Sequence, residues 1–327
     1  MSAILVVRPS SLGDVVHALA LVADVRTHRP ELAVDWVAET AFASLVKLNP
    51  DVRRVVPVGL RQWRHHLAAR ATWRELASFR RALRRDDYLA ILDLQEQVKG
   101  ALIACLARGV RHGPDRASIR EPVATLAHHV HHAIDPNQHM IDRCRQLAAA
   151  ALGYRAEGPP RFGIVPPPRA AGDDAPERPY IVLVHATSRD SKLWPEAHWR
   201  SLIGKFAAAG FATLLPWGNE VELARSERLA AGTPMAQVPL PPRRDLPALA
   251  GLLARAELVV GVDTGLVHLA SALGTPTIAL FGATDPALCG VEHANPRARD
   301  LGGIGSVPLP EAVAEAAGAL LPRAPRC

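Results

Sequence analysis

The chain has 327 residues, 49% of them hydrophobic, and its 38 Lys and Arg against 32 Asp and Glu give a formal net charge of +6. That length fits two domains of ordinary size. No apolar run is long enough to span a bilayer, and the N-terminal apolar stretch is too short for a signal peptide. Cys105, Cys144, Cys289 and Cys327 are scattered without paired spacing, which argues against a disulfide framework and a cysteine zinc site. A cytoplasmic protein is expected. All but Lys47, Lys99, Lys192 and Lys205 of the basic residues are arginines, a surplus that suits anionic partners such as nucleic acid, a membrane surface or a phosphorylated sugar.

Ala3 to Val7 reads as a short buried strand, followed by Arg8-Pro-Ser-Ser-Leu-Gly-Asp14. Val15, Val16, Leu19, Ala20 and Ala23 then recur at helical spacing, predicting a helix over 14–28. The change of period places Ser10, Ser11 and Asp14 at the carboxyl end of a strand, where open α/β sheets hold ligands. Only Gly13 of a dinucleotide fingerprint is present, and Gly-Lys-Ser/Thr of a Walker loop is missing. Plain helix capping is an equal reading of Ser10, Ser11 and Asp14.

Predicted strands at Ala33–Val37, Arg54–Val58 and Tyr88–Leu92 alternate with helices near 41–48, 75–86 and 97–108. From 61 to 85 the chain is strongly basic, with Arg61, Arg64, Arg70, Arg74, Arg80, Arg81, Arg84 and Arg85 beside His65 and His66. Trp63, Leu67 and Trp73 are interleaved. Such a run is ordinarily a solvated helix face, although arginine forks also grip carboxylates and phosphates. Interleaved tryptophans equally suit an interface or nucleic acid. His128, His129, His131, His132 and His139 have the look of a metal site, with His128 and His132 on one helical face. No cysteine or strong acid accompanies them in sequence, and no metal is expected there.

Between 155 and 179 the periodicity stops at Gly158-Pro-Pro, Pro166-Pro-Pro and Gly172-Asp-Asp-Ala-Pro, the composition of a linker. A second alternation follows, with strands at Tyr180–Val184, Phe211–Leu215, Leu258–Val262 and Thr277–Phe281 and helices near 195–209, 219–231, 245–255, 265–273 and 310–321. His185-Ala-Thr-Ser-Arg-Asp-Ser-Lys192 leaves the first of these strands, presenting Thr187, Ser188 and Lys192 to a departing diphosphate. After the next, Trp217-Gly-Asn-Glu-Val-Glu222 offers Glu220 or Glu222 to ribose hydroxyls, or as helix-start acids. Asp263-Thr-Gly-Leu-Val-His268 joins a buried strand to a helix whose first amides have no internal acceptors and suit phosphate. Thr264 adds a hydroxyl and Gly265 allows close approach, although Asp and Thr cap many helices without a ligand.

The pattern predicts two doubly wound α/β domains, over 1–157 and 179–309, with a linker at 158–178. The segment 310–327 is expected to pack back on the first domain.

These motifs together resemble the bacterial lipopolysaccharide heptosyltransferases, in particular those that add the first heptose of the inner core. Pro9-Ser-Ser-Leu-Gly-Asp14, Val34-Asp-Trp-Val-Ala-Glu39, Arg61-Gln-Trp-Arg64, Asp93-Leu-Gln-Glu-Gln-Val-Lys99, Arg120-Glu-Pro, the stretch from His185 to Glu196, Leu215-Pro-Trp-Gly218 and Asp263 to His268 carry the likeness, in order, over nearly the whole chain. The resemblance implies a GT-B fold, two Rossmann-like domains facing across a cleft. It implies ADP-L-glycero-D-manno-heptose as donor and Kdo-lipid A as acceptor, with inversion at the anomeric carbon and no metal cofactor. No Asp-x-Asp motif is present to hold one.

By position, the resemblance makes Asp14 the general base and Lys192 the diphosphate contact, with Thr187, Ser188, Glu222, Asp263, Thr264, Gly265 and His268 also around the donor. Arg8, Ser10, Arg61, Arg64, Lys99 and Arg120 fall where the family meets its acidic acceptor. Related sequences tend to have glycine where this chain has Glu96. The acceptor implies peripheral contact with the cytoplasmic face of the inner membrane, for which the basic 61–85 segment is suited. Competing readings are a later-acting heptosyltransferase, a nucleic-acid binder using the 61–85 arginines, and a nicotinamide dehydrogenase, the last weakened by the absent Gly-x-Gly-x-x-Gly.

Overall fold

The structure, a computed structural model, describes residues 2–66, 68–169, 175–234 and 237–321. Leu67, part of the expected linker (170–174) and the tail beyond 321 lie outside them. The chain forms two compact units, 1–165 and 166–327, dividing inside the segment expected as a linker.

The first unit is built on strands β1 (Ala3–Val7), β2 (Ala33–Glu39), β3 (Val52–Val58), β4 (Asp87–Asp93), β5 (Arg108–Pro114) and β6 (Val130–His132). They form one parallel sheet in the order β3-β2-β1-β4-β5-β6. Its helices are α1 (Leu12–His28), α2 (Thr40–Val46), α3 (Leu60–Trp63), α4 (Arg70–Leu83), α5 (Val98–Leu106) and α6 (Met140–Leu152). Every residue of β1 and β2 is buried, as expected of strands covered on both faces. The strand order reverses between β1 and β4, so the loops that follow these two strands diverge and leave a crevice at their carboxyl ends.

The second unit has strands β7 (Tyr180–Val184), β8 (Ala212–Leu214), β9 (Leu258–Val262), β10 (Thr277–Phe281) and β11 (Ala298–Gly302). They run parallel in the order β11-β10-β9-β7-β8, with the reversal between β7 and β9. Its helices are α7 (Glu196–Ala208), α8 (Glu220–Ala230), α9 (Leu246–Ala254), α10 (Gly265–Ala272), α11 (Pro286–Cys289) and α12 (Pro310–Leu320). Gly261 of β9 is required by packing: a Cβ there would lie 2.5 Å from Val267 and 2.7 Å from Val184. Its absence lets α10 and β7 close on β9.

Strands β5, β6 and β11 and helices α3, α6 and α11 go beyond the sequence reading. Strands β5, β6 and β11 are polar or short and become strands by pairing with a neighbour. Helix α6 buries Ile141, Cys144, Leu147, Ala148 and Leu152 and ends at Gly153, whose φ of 72° is the left-handed cap glycine favours. Helix α12, expected on the first domain, instead sets Val313 and Ala317 into the second unit's core and packs on α7, β10 and β11. An apolar pair four residues apart finds its partner within its own unit.

Asp35 on β2 is wholly buried and accepts from Arg53 at 2.8 Å on both oxygens, from Arg54 at 2.6 Å and from Tyr88 at 2.9 Å. Burial alone would lift its carboxyl, yet the hydrogen bonds from Arg53, Arg54 and Tyr88 hold it below the usual range. Asp35→Ala should cost roughly 3 kcal/mol, the low end for a broken buried pair because both arginines reach water. A lowered carboxyl stabilises the fold above the ordinary carboxylate range and loses that contribution as the pH falls through its native pKa. Urea melts of both proteins from neutral to acid pH should therefore converge.

Candidate active site

The crevice of the first unit is lined by the loops after β1 and β4. Trp36 Nε1 donates to the Arg8 carbonyl at 3.3 Å and the Glu39 amide to the Pro9 carbonyl at 3.0 Å, fixing the turn that starts α1. Arg8, only 4% exposed, donates to Asp14 Oδ1 at 2.8 Å. The Ser11 amide and hydroxyl donate to Asp14 Oδ2 at 2.9 and 2.7 Å. Burial pushes the Asp14 carboxyl up, but Arg8 and Ser11 outweigh it and hold the group well below the usual range. Asp14 is thus a helix-start acid and also an ionised carboxylate one-third open to solvent.

Ser10 bridges the reversal: its amide donates to Gln95 Oε1 at 3.2 Å and its hydroxyl accepts from Lys99 at 2.9 Å. Glu39, at the end of β2, joins this group. Burial holds its carboxyl above the usual range against the opposing charges of Arg61, Lys99 and Arg64. Burial, with Arg8 and Arg61, holds the Lys99 ammonium below its usual value despite Glu39 and Asp14. Arg8, Ser10, Asp14, Arg61, Arg64 and Lys99 therefore share one electrostatic neighbourhood. Arg120 is exposed on a loop tied to that crevice, since the Glu121 amide donates to the Glu96 carbonyl at 3.1 Å and the Glu121 carboxylate accepts from the Val98 amide at 2.8 Å. Glu39 and Gln95 are the residues sequence reasoning missed, and a buried acid closing an apolar strand is the signal that points to Glu39.

Trp63, among the expected interface tryptophans, is buried against Phe79 and donates to Glu75 at 2.7 Å. The histidines do not share a helical face. His128 follows a 3-10 turn over 122–127 and lies 3.0 Å from Asp93, whereas His132 is on β6, 3.0 Å from His112. Asp93 is the acid that sequence proximity could not reveal. Among the described residues no three His, Cys, Asp or Glu side chains are grouped to hold a metal.

The second crevice centres on Asp263. Lys192 and the Thr284 hydroxyl each donate to Oδ2 at 2.5 Å, and His268 Nε2 lies 3.2 Å from Oδ1. Burial raises this carboxyl, while His268, Lys192 and Thr284 prevail and keep it well below the usual range. Thr264, in extended conformation, caps α10, so the first amides of Gly265 and Leu266 point out of the helix beside this cluster. Thr187 and Ser188, in the loop after β7, make no side-chain hydrogen bond among the described residues. Thr284, after β10, was not anticipated because it reaches Asp263 from a third strand end. Glu222 accepts from the Gly218 amide at 2.7 Å and the Asn219 side chain at 3.0 Å, a cap for α8, while Glu220 is exposed.

Residues 76–310 match the model of glycosyltransferase family 9, the heptosyltransferases. The chain belongs to this family. Lipopolysaccharide heptosyltransferase 1 of Escherichia coli strain K12 is 41% identical over 301 residues, covering 88% of this chain and 90% of that protein. Its Pseudomonas aeruginosa counterpart is 39% identical over 289 residues, covering 88% of this chain and 80% of that one. The solved structure of E. coli heptosyltransferase WaaC with ADP superposes with a TM-score of 0.88 at 38% identity, covering 98% of this chain and 100% of that one. E. coli heptosyltransferase II, at 21% identity and a TM-score of 0.75, shares the fold. The protein is therefore a glycosyltransferase of two parallel-sheet α/β domains, and the nucleic-acid and dehydrogenase readings fall away.

Glu96 has a φ of 57°, a left-handed conformation that favours glycine, and its buried carboxylate pairs with Arg143 at 2.7 Å. Glu96→Ala should cost roughly 2–4 kcal/mol by stranding buried Arg143. Glu96→Gly should cost about 1 kcal/mol less, because it relieves the backbone. Denaturant melts compare the two, and equal stabilities would show that the backbone at 96 carries no penalty.

Proposed function

We propose that this heptosyltransferase moves L-glycero-D-manno-heptose from ADP-heptose to the Kdo of Kdo-lipid A, inverting the anomeric centre without a metal. The observation that carries the reading is the 41% identity to lipopolysaccharide heptosyltransferase 1 across 88% of the chain. It is supported by the likeness to WaaC solved with ADP and with ADP-2-deoxy-2-fluoro heptose.

An acceptor hydroxyl attacks the anomeric carbon opposite the leaving diphosphate, the new C–O bond forming as the C–O bond to phosphate breaks. The sugar passes through an oxocarbenium-like state. Asp14, ionised by Arg8 and Ser11, is a weak base. It takes the proton as the new bond forms, when the hydroxyl has become acidic. The diphosphate gathers charge toward Lys192, which is held by Asp263, itself bonded by Thr284, and toward the first amides of α10. Thr187 and Ser188 offer hydroxyls to the phosphates, His268 and Thr264 complete that side, and Glu222 holds the ribose from the start of α8. Arg8, Ser10, Arg61, Arg64, Lys99 and Arg120 take the acceptor's carboxylates and phosphates. Among the described residues no helix is long and apolar enough to cross a membrane. A lipid-linked acceptor places the enzyme at the cytoplasmic face of the inner membrane, where the basic 61–85 segment suits surface contact.

Purified enzyme with ADP-heptose and Kdo-lipid A should release ADP. Turnover only on an acceptor already bearing heptose would make it a later-acting transferase. Asp14→Asn should fold normally and lose turnover by roughly 10²- to 10⁴-fold, and Lys192→Ala by about 10²-fold. Chelators should leave the rate unchanged. Near-normal turnover in Asp14→Asn would reduce Asp14 to a helix cap.

Changing Arg61 and Arg64 together to Gln should raise KM for Kdo-lipid A and leave KM for ADP-heptose near wild type. The effect should shrink with salt, because exposed charges are screened over about 8 Å at physiological ionic strength. Steady-state kinetics at two salt concentrations check this, and an unchanged acceptor KM returns the arginines to an ordinary solvated surface.

A further inference from the structure

Helix α5 lies on the first sheet through buried Gly100, Ala101, Ile103 and Ala104. Its other side carries Val98 and Leu102, four residues apart and so on one face. The 3-10 turn 122–127 runs alongside, with Ala101, Ile119 and Ala124 packed together between the two. Val123 and Leu126, three residues apart, share one side of that turn. They are 64% and 86% exposed, and Leu102 is 63% exposed. Two adjacent helical segments thus turn four aliphatic side chains outward. Grouped apolar exposure of this kind marks an interaction surface.

The surrounding charges narrow the partner. Arg116 and Arg120 are exposed on the neighbouring loop, and Lys99 follows Val98 on α5. The acids among them point back at the backbone: Glu121 accepts from the Val98 amide, and Asp115 accepts from the Ala117 and Ser118 amides. Aliphatic side chains that enter the acyl boundary, with cations at headgroup level, are what an anionic leaflet binds.

We propose that Val98, Leu102, Val123 and Leu126 form an insertion ridge that seats the first unit on an anionic lipid leaflet. The inference rests on the reading that the acceptor is lipid-linked. The ridge is separate from the 61–85 arginines. It begins beside Lys99, whose ammonium bonds Ser10 in the crevice. Seating it therefore brings the acceptor crevice to headgroup height, and a short sugar on lipid A reaches Asp14 without leaving the bilayer.

The test is co-sedimentation of the full chain with vesicles of phosphatidylcholine, with and without phosphatidylglycerol, comparing wild type with Leu102→Gln/Val123→Gln/Leu126→Gln. Wild type should bind the anionic vesicles, retain part of that binding at high salt, and lose about tenfold in partitioning in the variant, the scale expected for a few buried CH₂ groups. The variant should keep its circular dichroism and its turnover of a water-soluble, deacylated acceptor. Equal binding of variant and wild type, binding abolished entirely by salt, or no vesicle binding at all would overturn the ridge. Failure of wild type to turn over the deacylated acceptor would count against the acceptor reading instead, while vesicle binding still judges the ridge.

Discussion

In a parallel sheet every strand delivers its carboxyl end to the same edge, and only a reversal of strand order opens a crevice there. Both units obey this constraint, at β1/β4 in the first and β7/β9 in the second. The flanking strands are buried throughout or nearly so, which leaves the loops after them as the places where polar chemistry can be exposed. Asp14 and Lys99 face one reversal, Lys192 and Asp263 the other. The polar clusters sit where topology allows them.

Each crevice then spends buried charge to hold a carboxylate ionised. Burial by itself would lift Asp14 and Asp263, and arginine, lysine, hydroxyl and imidazole partners reverse the sign in both. Desolvated charges held by hydrogen bonds are ordered during folding, so they need no rearrangement when charge develops in a reaction. Glu39 and Glu96 show the opposite balance, with burial prevailing over Arg61 and Arg143. Similar carboxylates in one small region are thereby driven apart, as sites that divide roles among acids require.

Glu96 shows how a local rule can be broken where tertiary contacts compensate. A non-glycine residue in left-handed conformation is strained, yet here its side chain reaches Arg143 of α6 while its carbonyl receives the Glu121 amide. One residue joins the loop after β4, the loop bearing Arg120 and a helix more than forty positions along the chain. The histidines nearby are similar, with His128 serving Asp93 and no metal group formed among the described residues.

Strands β1, β7, β9 and β10 were legible because continuous apolar runs bounded by turns have one stable use, the middle of a parallel sheet. The motifs from Arg8 to Asp14 and from Asp263 to His268 were legible because hydrophobic period changes from strand to helix across them. Strands β5, β6 and β11 were not, since they are polar or very short, carry no apolar pattern and exist by pairing with a neighbour. Gln95 beside Ser10, Arg143 beside Glu96 and Thr284 beside Asp263 are pairs far apart in sequence. Sheet order brings them together, and no local periodicity encodes sheet order. The sequence by itself determined which segments are buried and where the chain turns polar; the tertiary structure alone decided which of those turns meet, because that depends on the crossovers that place one strand beside another.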